Sequence, residues 1–214
     1  LMIIIIGFFG FLAGCLLYPS PGVSFTSADA GWLTIYGTPT TLSAFAFNTL
    51  MSFGGGIIGA YFITKDPFWM MSGALGGIFC AAGALDMWYP GTAFALGFLG
   101  GVVIPYSHKL ITSWGIDDAV GAVSVHGTCG LIGVLAVGVL LGGYPPIEGG
   151  VPITFTGQLV GAISMGLLGF IPGYVVSWIL KKVGILRVSD GVQMIGVDAE
   201  VPSTAYPESM QSQN

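Results

Sequence analysis

The chain is poor in charge. Of its 214 residues only 7% are Asp, Glu, Lys or Arg, and Lys and Arg together number five, where an ordinary soluble domain is about 25% charged. That scarcity excludes a water-facing globular surface, and five scattered cations cannot form the basic stripe that nucleic acid binding needs. Cysteine is also sparse. Cys15, Cys80 and Cys129 all lie in apolar segments, at spacings that suit neither a disulfide framework nor a zinc site. A nucleophile paired with a base, a metal-ligand cluster and a phosphate-binding loop are likewise missing, so the chain does not read as an enzyme and implies no cofactor.

What is abundant is apolar side chain and glycine. Hydrophobic residues make up 54% of the chain and glycines number 36, more than twice the usual share of about 7%. Glycine at that density lets membrane helices approach closely. A span needs about 20 apolar residues to cross a core of roughly 30 Å, and the sequence offers such stretches at 1–18, 40–63, 68–87, 91–112, 119–141 and 156–180. The first lacks a basic leader and a small-residue cleavage site, so it reads as a span and not a signal peptide. The expected fold is an all-α integral membrane protein with six transmembrane helices, 1–182 forming the membrane part and 183–214 a polar tail.

All five basic residues bear on orientation. If Leu1 starts in the cytoplasm, Lys65 follows the second span, Lys109 the fourth, and Lys181, Lys182 and Arg187 the sixth, all on one side. The positive-inside rule makes that side cytoplasmic, which predicts a multi-pass protein of the cell membrane with a cytoplasmic C-terminus. Trp32, Trp69, Trp88, Trp114 and Trp178 fall near span ends, as an aromatic belt requires.

Within the fifth stretch stands His126, eight residues beyond Asp118. Counted as helix, that is roughly 12 Å into the membrane, near its midplane. Either a neighbouring helix satisfies a neutral imidazole there, or the ring belongs to a relay or pathway, which intramembrane ionisable groups usually mark. Gly121, Gly127, Gly130, Gly133 and Gly138 thin the helix around it, leaving room for a close partner or a lumen.

Asp117-Asp118, His126-Gly127 and Cys129-Gly130-Leu131-Ile132-Gly133 together resemble the D-D-P-x-D-x-x-x-x-H-G-x-x-G-x-x-G signature of the ammonium transporters, the Amt/Mep/Rh family. Gly7-Phe8-Phe9-Gly10-Phe11-Leu12-Ala13-Gly14 resembles the G-W-F-G-F-N-A-G stretch of that family's sixth span, and Phe47-Asn48-Thr49 its F-V-N-T region. Leu186-Arg187-Val188, Gly196-x-Asp198 and Ala205-Tyr206 fit the cytoplasmic tail. The resemblance covers residues 1 to 206.

It implies the second half, spans six to eleven, of a fold built from two inverted five-span repeats and a final helix, with a first-half chain or segment completing the route. It also implies homotrimers with one pore per protomer. In the family mechanism ammonium is recruited at the outer face and deprotonated, and ammonia then crosses a hydrophobic lumen past two imidazoles. On this alignment His126 matches the second histidine, Phe11 the second gate phenylalanine, and Cys15 a serine that helps recruit the ion. Leu12 stands in place of an asparagine, Ala119 of a proline and Gly121 of an aspartate. Asp118 is expected to cap the helix that follows, Gly127 and Gly130 to let a neighbouring helix approach, and His108 to be a solvated interfacial residue. The acidic tail matches a segment that influences a docking P-II regulator. A sensor, or a structural membrane subunit on the same scaffold with little conduction, is the alternative to transport.

Overall fold

The computed structural model describes residues 2–16, 29–33, 39–144 and 151–195. The chain divides into two units, residues 1–163 and 164–214.

In the first unit, α1 (Met2–Leu16) is followed by a short antiparallel pair, β1 (Asp29–Leu33) and β2 (Pro39–Thr41), with Asp29 opposite Thr41 and Leu33 opposite Pro39. This ribbon lies in the connection between the first two apolar stretches. The spanning part is wholly helical: α2 (Leu42–Thr64), α3 (Pro67–Ala81) with a 3-10 turn (Ala82–Ala84), α4 (Pro90–Ser113), a π-helical turn (Val123–Thr128) running into α5 (Cys129–Leu140), and α6 (Phe155–Val183). Five helical stretches are long and apolar enough to cross a bilayer, and α1, apolar over Ile3–Gly14, is shorter than those five. The first of the six expected spans is therefore seen only as a 15-residue helix. Residues 17–28 lie outside the described residues.

Local chemistry sets the boundaries. Lys65 takes a left-handed backbone, φ 54°, which ends α2. Asp66 caps α3 by accepting from the Phe68 amide at 2.9 Å, with Pro67 in the first turn, a position where the missing N–H costs nothing. Pro90 opens α4 in the same way. In the short connection after α3, Asn48 of α2 donates to the Leu85 and Trp88 carbonyls at 2.8 and 2.7 Å, and the Trp88 indole donates to Ala81 O at 2.8 Å. The Asn48 of the Phe47-Asn48-Thr49 motif thus ties α2 to the α3–α4 turn.

Glycine brings α2, α3 and α4 into backbone contact. A Cβ on Gly56 would meet the Gly73 carbonyl, one on Gly73 would stand 2.5 Å from Gly56 O, and one on Gly101 would meet that same Gly56 carbonyl. Gly133 carries α5 onto α3 in the same manner, 2.6 Å from Phe79 O. With apolar lipid outside, such close packing is what holds helices together. Around this centre the buried core includes Phe45, Phe53, Ile78, Leu85, Ile104, Cys129 and Leu141.

The second unit contains the rest of α6 and α7 (Asp190–Ile195). Lys181 and Lys182 sit in the last turn of α6, where cations favour the negative helix end, and Lys182 lies over the Trp178 ring at 5.7 Å. The tail matches at Gly196, Asp198, Ala205 and Tyr206 lie outside the described residues.

Candidate functional site

The fifth apolar stretch does not become helical where its composition suggests. Its helix starts at Val123 rather than near 119, and the reason lies in two residues. Gly121 adopts φ +71°, a left-handed turn that L side chains avoid. Asp118 reaches past it: Oδ1 accepts from the Val123 amide at 3.0 Å, and Oδ2 from the Ser124 amide at 3.3 Å and the Ser124 hydroxyl at 3.2 Å. These are bonds across five and six residues, longer than an ordinary cap, and they seat the start of a π turn. A π turn is rare and concentrates at functional positions. His126 is the fourth residue of that turn. Only about 5 Å of helix therefore precedes His126, where eight helical residues were expected.

Burial pushes the Asp118 carboxyl up, but the hydrogen bonds from Val123 and Ser124, with His108 nearby, outweigh it and hold the group below the usual carboxylate range.

The His126 side chain is exposed on this chain and meets the Phe79 ring edge-on, centroids 4.3 Å apart at 61°. Phe79 meets Phe8 at 5.4 Å, and Phe8 meets Phe11 at 6.2 Å, both near perpendicular. The structure thus joins His126 to Phe11 through Phe8 and Phe79, a row of rings from α1 across α3 to the π turn. Phe11 is 65% exposed, whereas Leu12 turns into the core. Sequence reading missed both linking rings. Phe8 stands at the tryptophan of the resembled G-W-F-G stretch, a usable signal; Phe79 has none. The backbone of Cys15 belongs to α1, and its side chain lies outside the described residues.

Gly127 and Gly130 face no neighbouring helix among the described residues: a Cβ on Gly127 would touch only Val123 of its own turn, and one on Gly130 nothing within 4 Å. The close approach expected of them is made by Gly133. His108 also departs from expectation. It is only partly solvated: the side chain is 24% exposed, but its ring packs on Trp69 at 4.8 Å, and Nδ1 is buried, 3.8 Å from Asp118 Oδ2, without a hydrogen-bond partner. The Trp69 contact also sets the turn at Lys65 and the end of α4 near Lys109 at the same end of the first unit. Cys80 and Cys129 are free and buried, Cys80 donating to Cys129 O at 3.4 Å and Cys129 to Gly100 O at 3.8 Å. Among the described residues no group of three or more His, Cys, Asp or Glu could hold a metal ion.

Residues 1–206 match the model of the Ammonium Transporter Family. The chain is 32% identical over 163 residues to ammonium transporter Amt2 of Methanocaldococcus jannaschii, covering 75% of this chain and 38% of that protein. It is 30% identical to Amt2 of Archaeoglobus fulgidus, covering 78% and 39%, and 29% identical to an ammonium transporter of Corynebacterium glutamicum, covering 95% and 44%. It therefore spans less than half the length of these relatives. Family match, spanning helices and glycine-mediated packing agree: the chain is a multi-pass membrane protein and belongs to the ammonium transporter family.

Proposed function

We propose that this chain is the C-terminal half of an ammonium channel, completed by a first-half chain or segment and assembled as a homotrimer with one route per protomer. The supporting observation is the ring row from Phe11 to His126, both ends of which are exposed where a first half would close the route. A bare ammonium ion entering a low-dielectric lumen costs tens of kcal/mol by Born estimates. Neutral ammonia costs far less, so the proton has to leave. Phe11 narrows the entrance, the rings of Phe8 and Phe79 keep the path apolar, and His126 takes part in proton handling as one member of a histidine pair. The tail side faces the cytoplasm, where it is placed to meet a P-II type regulator. In the assembled transporter, His126→Ala lowers ammonium uptake by roughly 10²-fold, the lower end of what a positioned proton-transfer group contributes, while assembly measured by size-exclusion chromatography stays unchanged. Wild-type uptake in that variant would reduce His126 to a packing residue.

Cys15 belongs to the same route as the outer recruiting position, four residues beyond Phe11 and so on the same helical face. A thiol is a weaker acceptor than a hydroxyl. Cys15→Ser is expected to tighten ammonium recruitment by at most about 1.5–3 kcal/mol, the range for hydrogen bonds to charged groups, read as a lower half-saturation concentration. An external thiol reagent labels Cys15 and spares Cys80, which is buried in α3. Equal uptake curves together with an unlabelled Cys15 would move the recruiting site elsewhere.

A further inference from the structure

We infer that His108 is a titratable positioning residue for His126, closing on Asp118 when protonated and so fixing the π turn that carries the pathway histidine. Three observations converge. The buried Nδ1 of His108 lacks a hydrogen-bond partner and stands 3.8 Å from Asp118 Oδ2, just beyond bonding reach. Asp118 is the residue that seats the turn, through Val123 and Ser124. The residue before His108, Ser107, already grips the other end of the same turn, its hydroxyl 2.7 Å from that of Thr128. Neighbouring residues of α4 thus address both ends of a six-residue segment whose middle holds His126.

Protonation changes one of these two grips. The imidazolium gains a charge-assisted bond to the carboxylate, stronger than any neutral contact, while the Trp69 ring at 4.8 Å holds it in place. A small closing movement suffices, and Asp118 keeps its bonds to the turn because a carboxylate accepts several donors. The neutral ring lacks that bond, and the turn is then held by Asp118 and Ser107 alone.

The charged and titratable groups on the elements around His108 are few. Its own helix carries Tyr106 and Lys109, α2 carries Tyr61, the turn before α3 Lys65 and Asp66, α3 Cys80, the loop before the π turn Asp117 and Asp118, the π turn His126 and α5 Cys129. Among the described residues only Asp118 makes an ion-pair contact with it.

This inference rests on the proposed transport role for its consequence and on the structure alone for its mechanism, so the test has two arms. In the first, hydrogen exchange of the Val123 and Ser124 amides is followed on the full chain in lipid nanodiscs at about pH 5.5 and about pH 8, which bracket histidine titration. Wild-type protection factors rise about tenfold at the lower pH, the scale of one charge-assisted hydrogen bond. His108→Gln, a neutral donor of similar reach, gives the same protection at both values, and His108→Leu gives the low wild-type value at both. In the second arm, ammonium uptake by the assembled transporter falls as cytoplasmic pH rises through the histidine range, relative to the His108→Gln transporter measured at the same pH, and His108→Leu removes that difference. Wild-type protection that is equal at the two pH values, or protection unchanged by the substitutions, overturns the inference. Absence of uptake in every variant and in wild type, with the exchange pattern intact, overturns the transport reading and leaves the His108 clamp standing.

Discussion

Gly56→Ala is expected to prevent stable assembly of the membrane bundle, although it adds a single methyl group. The reason is what the methyl would meet. At Gly56 the new Cβ falls on the Gly73 carbonyl of α3, while the Gly56 carbonyl is itself the contact surface for Gly73 and Gly101. A clash with a long side chain can be relieved by changing rotamer. A clash with backbone in the middle of a helix requires the whole helix to move, and here two helices would have to move together. Overpacking in well-filled cores typically costs about 1–3 kcal/mol, and the upper end or beyond is expected where backbone meets backbone at a three-helix crossing. Gly54→Ala on the same helix is the control: nothing lies within 4 Å of a Cβ at that position, and alanine is the better helix former by about 1 kcal/mol. Unfolding in mixed detergent micelles, followed by circular dichroism, separates the two. If Gly56→Ala unfolds at the same detergent fraction as Gly54→Ala, the glycine crossing is not what holds α2, α3 and α4 together.

The legible part of this molecule is the part written in one dimension. Runs of about 20 apolar residues mark α2, α3, α4 and α6 to within a few positions, because hydrocarbon leaves a spanning backbone little alternative to helix. Pro67 after Asp66, and Pro90, mark helix starts for a local reason as well. His126 and Phe11 were readable because the resemblance carries fixed spacings around them. What stayed hidden depends on contacts between distant positions. Phe8, Phe79 and His126 are joined only by the packing of three elements, and none of the three segments shows in its own composition that their rings will touch. The π turn was hidden for a different reason. Val123–Thr128, V-S-V-H-G-T, is more polar and poorer in glycine than the helix after it, but that composition does not choose π over α winding; what sets it apart is Gly121 in a left-handed turn and Asp118 reaching forward across five and six residues. The glycines give the clearest contrast. The sequence shows five of them along this stretch as equivalent, whereas the structure uses Gly121 for its backbone angle and Gly133 for a backbone contact, leaving Gly127 and Gly130 open on the face that carries His126.

Asp118→Ala is the second change expected to have a large effect, and its signature differs from that of Gly56. Alanine removes the acceptor for two amides and a hydroxyl at once. Ser124 is completely buried, so its donors cannot turn to water. A buried donor left without a partner costs about 1–3 kcal/mol, and with two such groups at Ser124 and a third donor at Val123 the turn is expected to lose about 3 kcal/mol in all. That is enough to let the segment rewind as ordinary helix and rotate His126 away from Phe79. Asp118→Asn keeps one acceptor oxygen, so roughly half of the loss is expected. The pH dependence follows from the direction of the carboxyl shift: its folded value is lowered, so its contribution is fully present above the ordinary carboxylate range and disappears as pH falls through the lowered value. Between about pH 5 and 8 the Asp118 contribution is therefore flat, and a stability change in that window belongs to another group. Thermal unfolding of wild type, Asp118→Asn and Asp118→Ala, measured at neutral and at strongly acid pH, checks both points. At neutral pH stability should fall in that order; in strong acid wild type, its carboxyl protonated but still holding one acceptor oxygen, should fall towards Asp118→Asn, while the gap between Asp118→Asn and Asp118→Ala, neither of which titrates, stays. Equal stability at neutral pH would show that the π turn is held by its surroundings and not by Asp118.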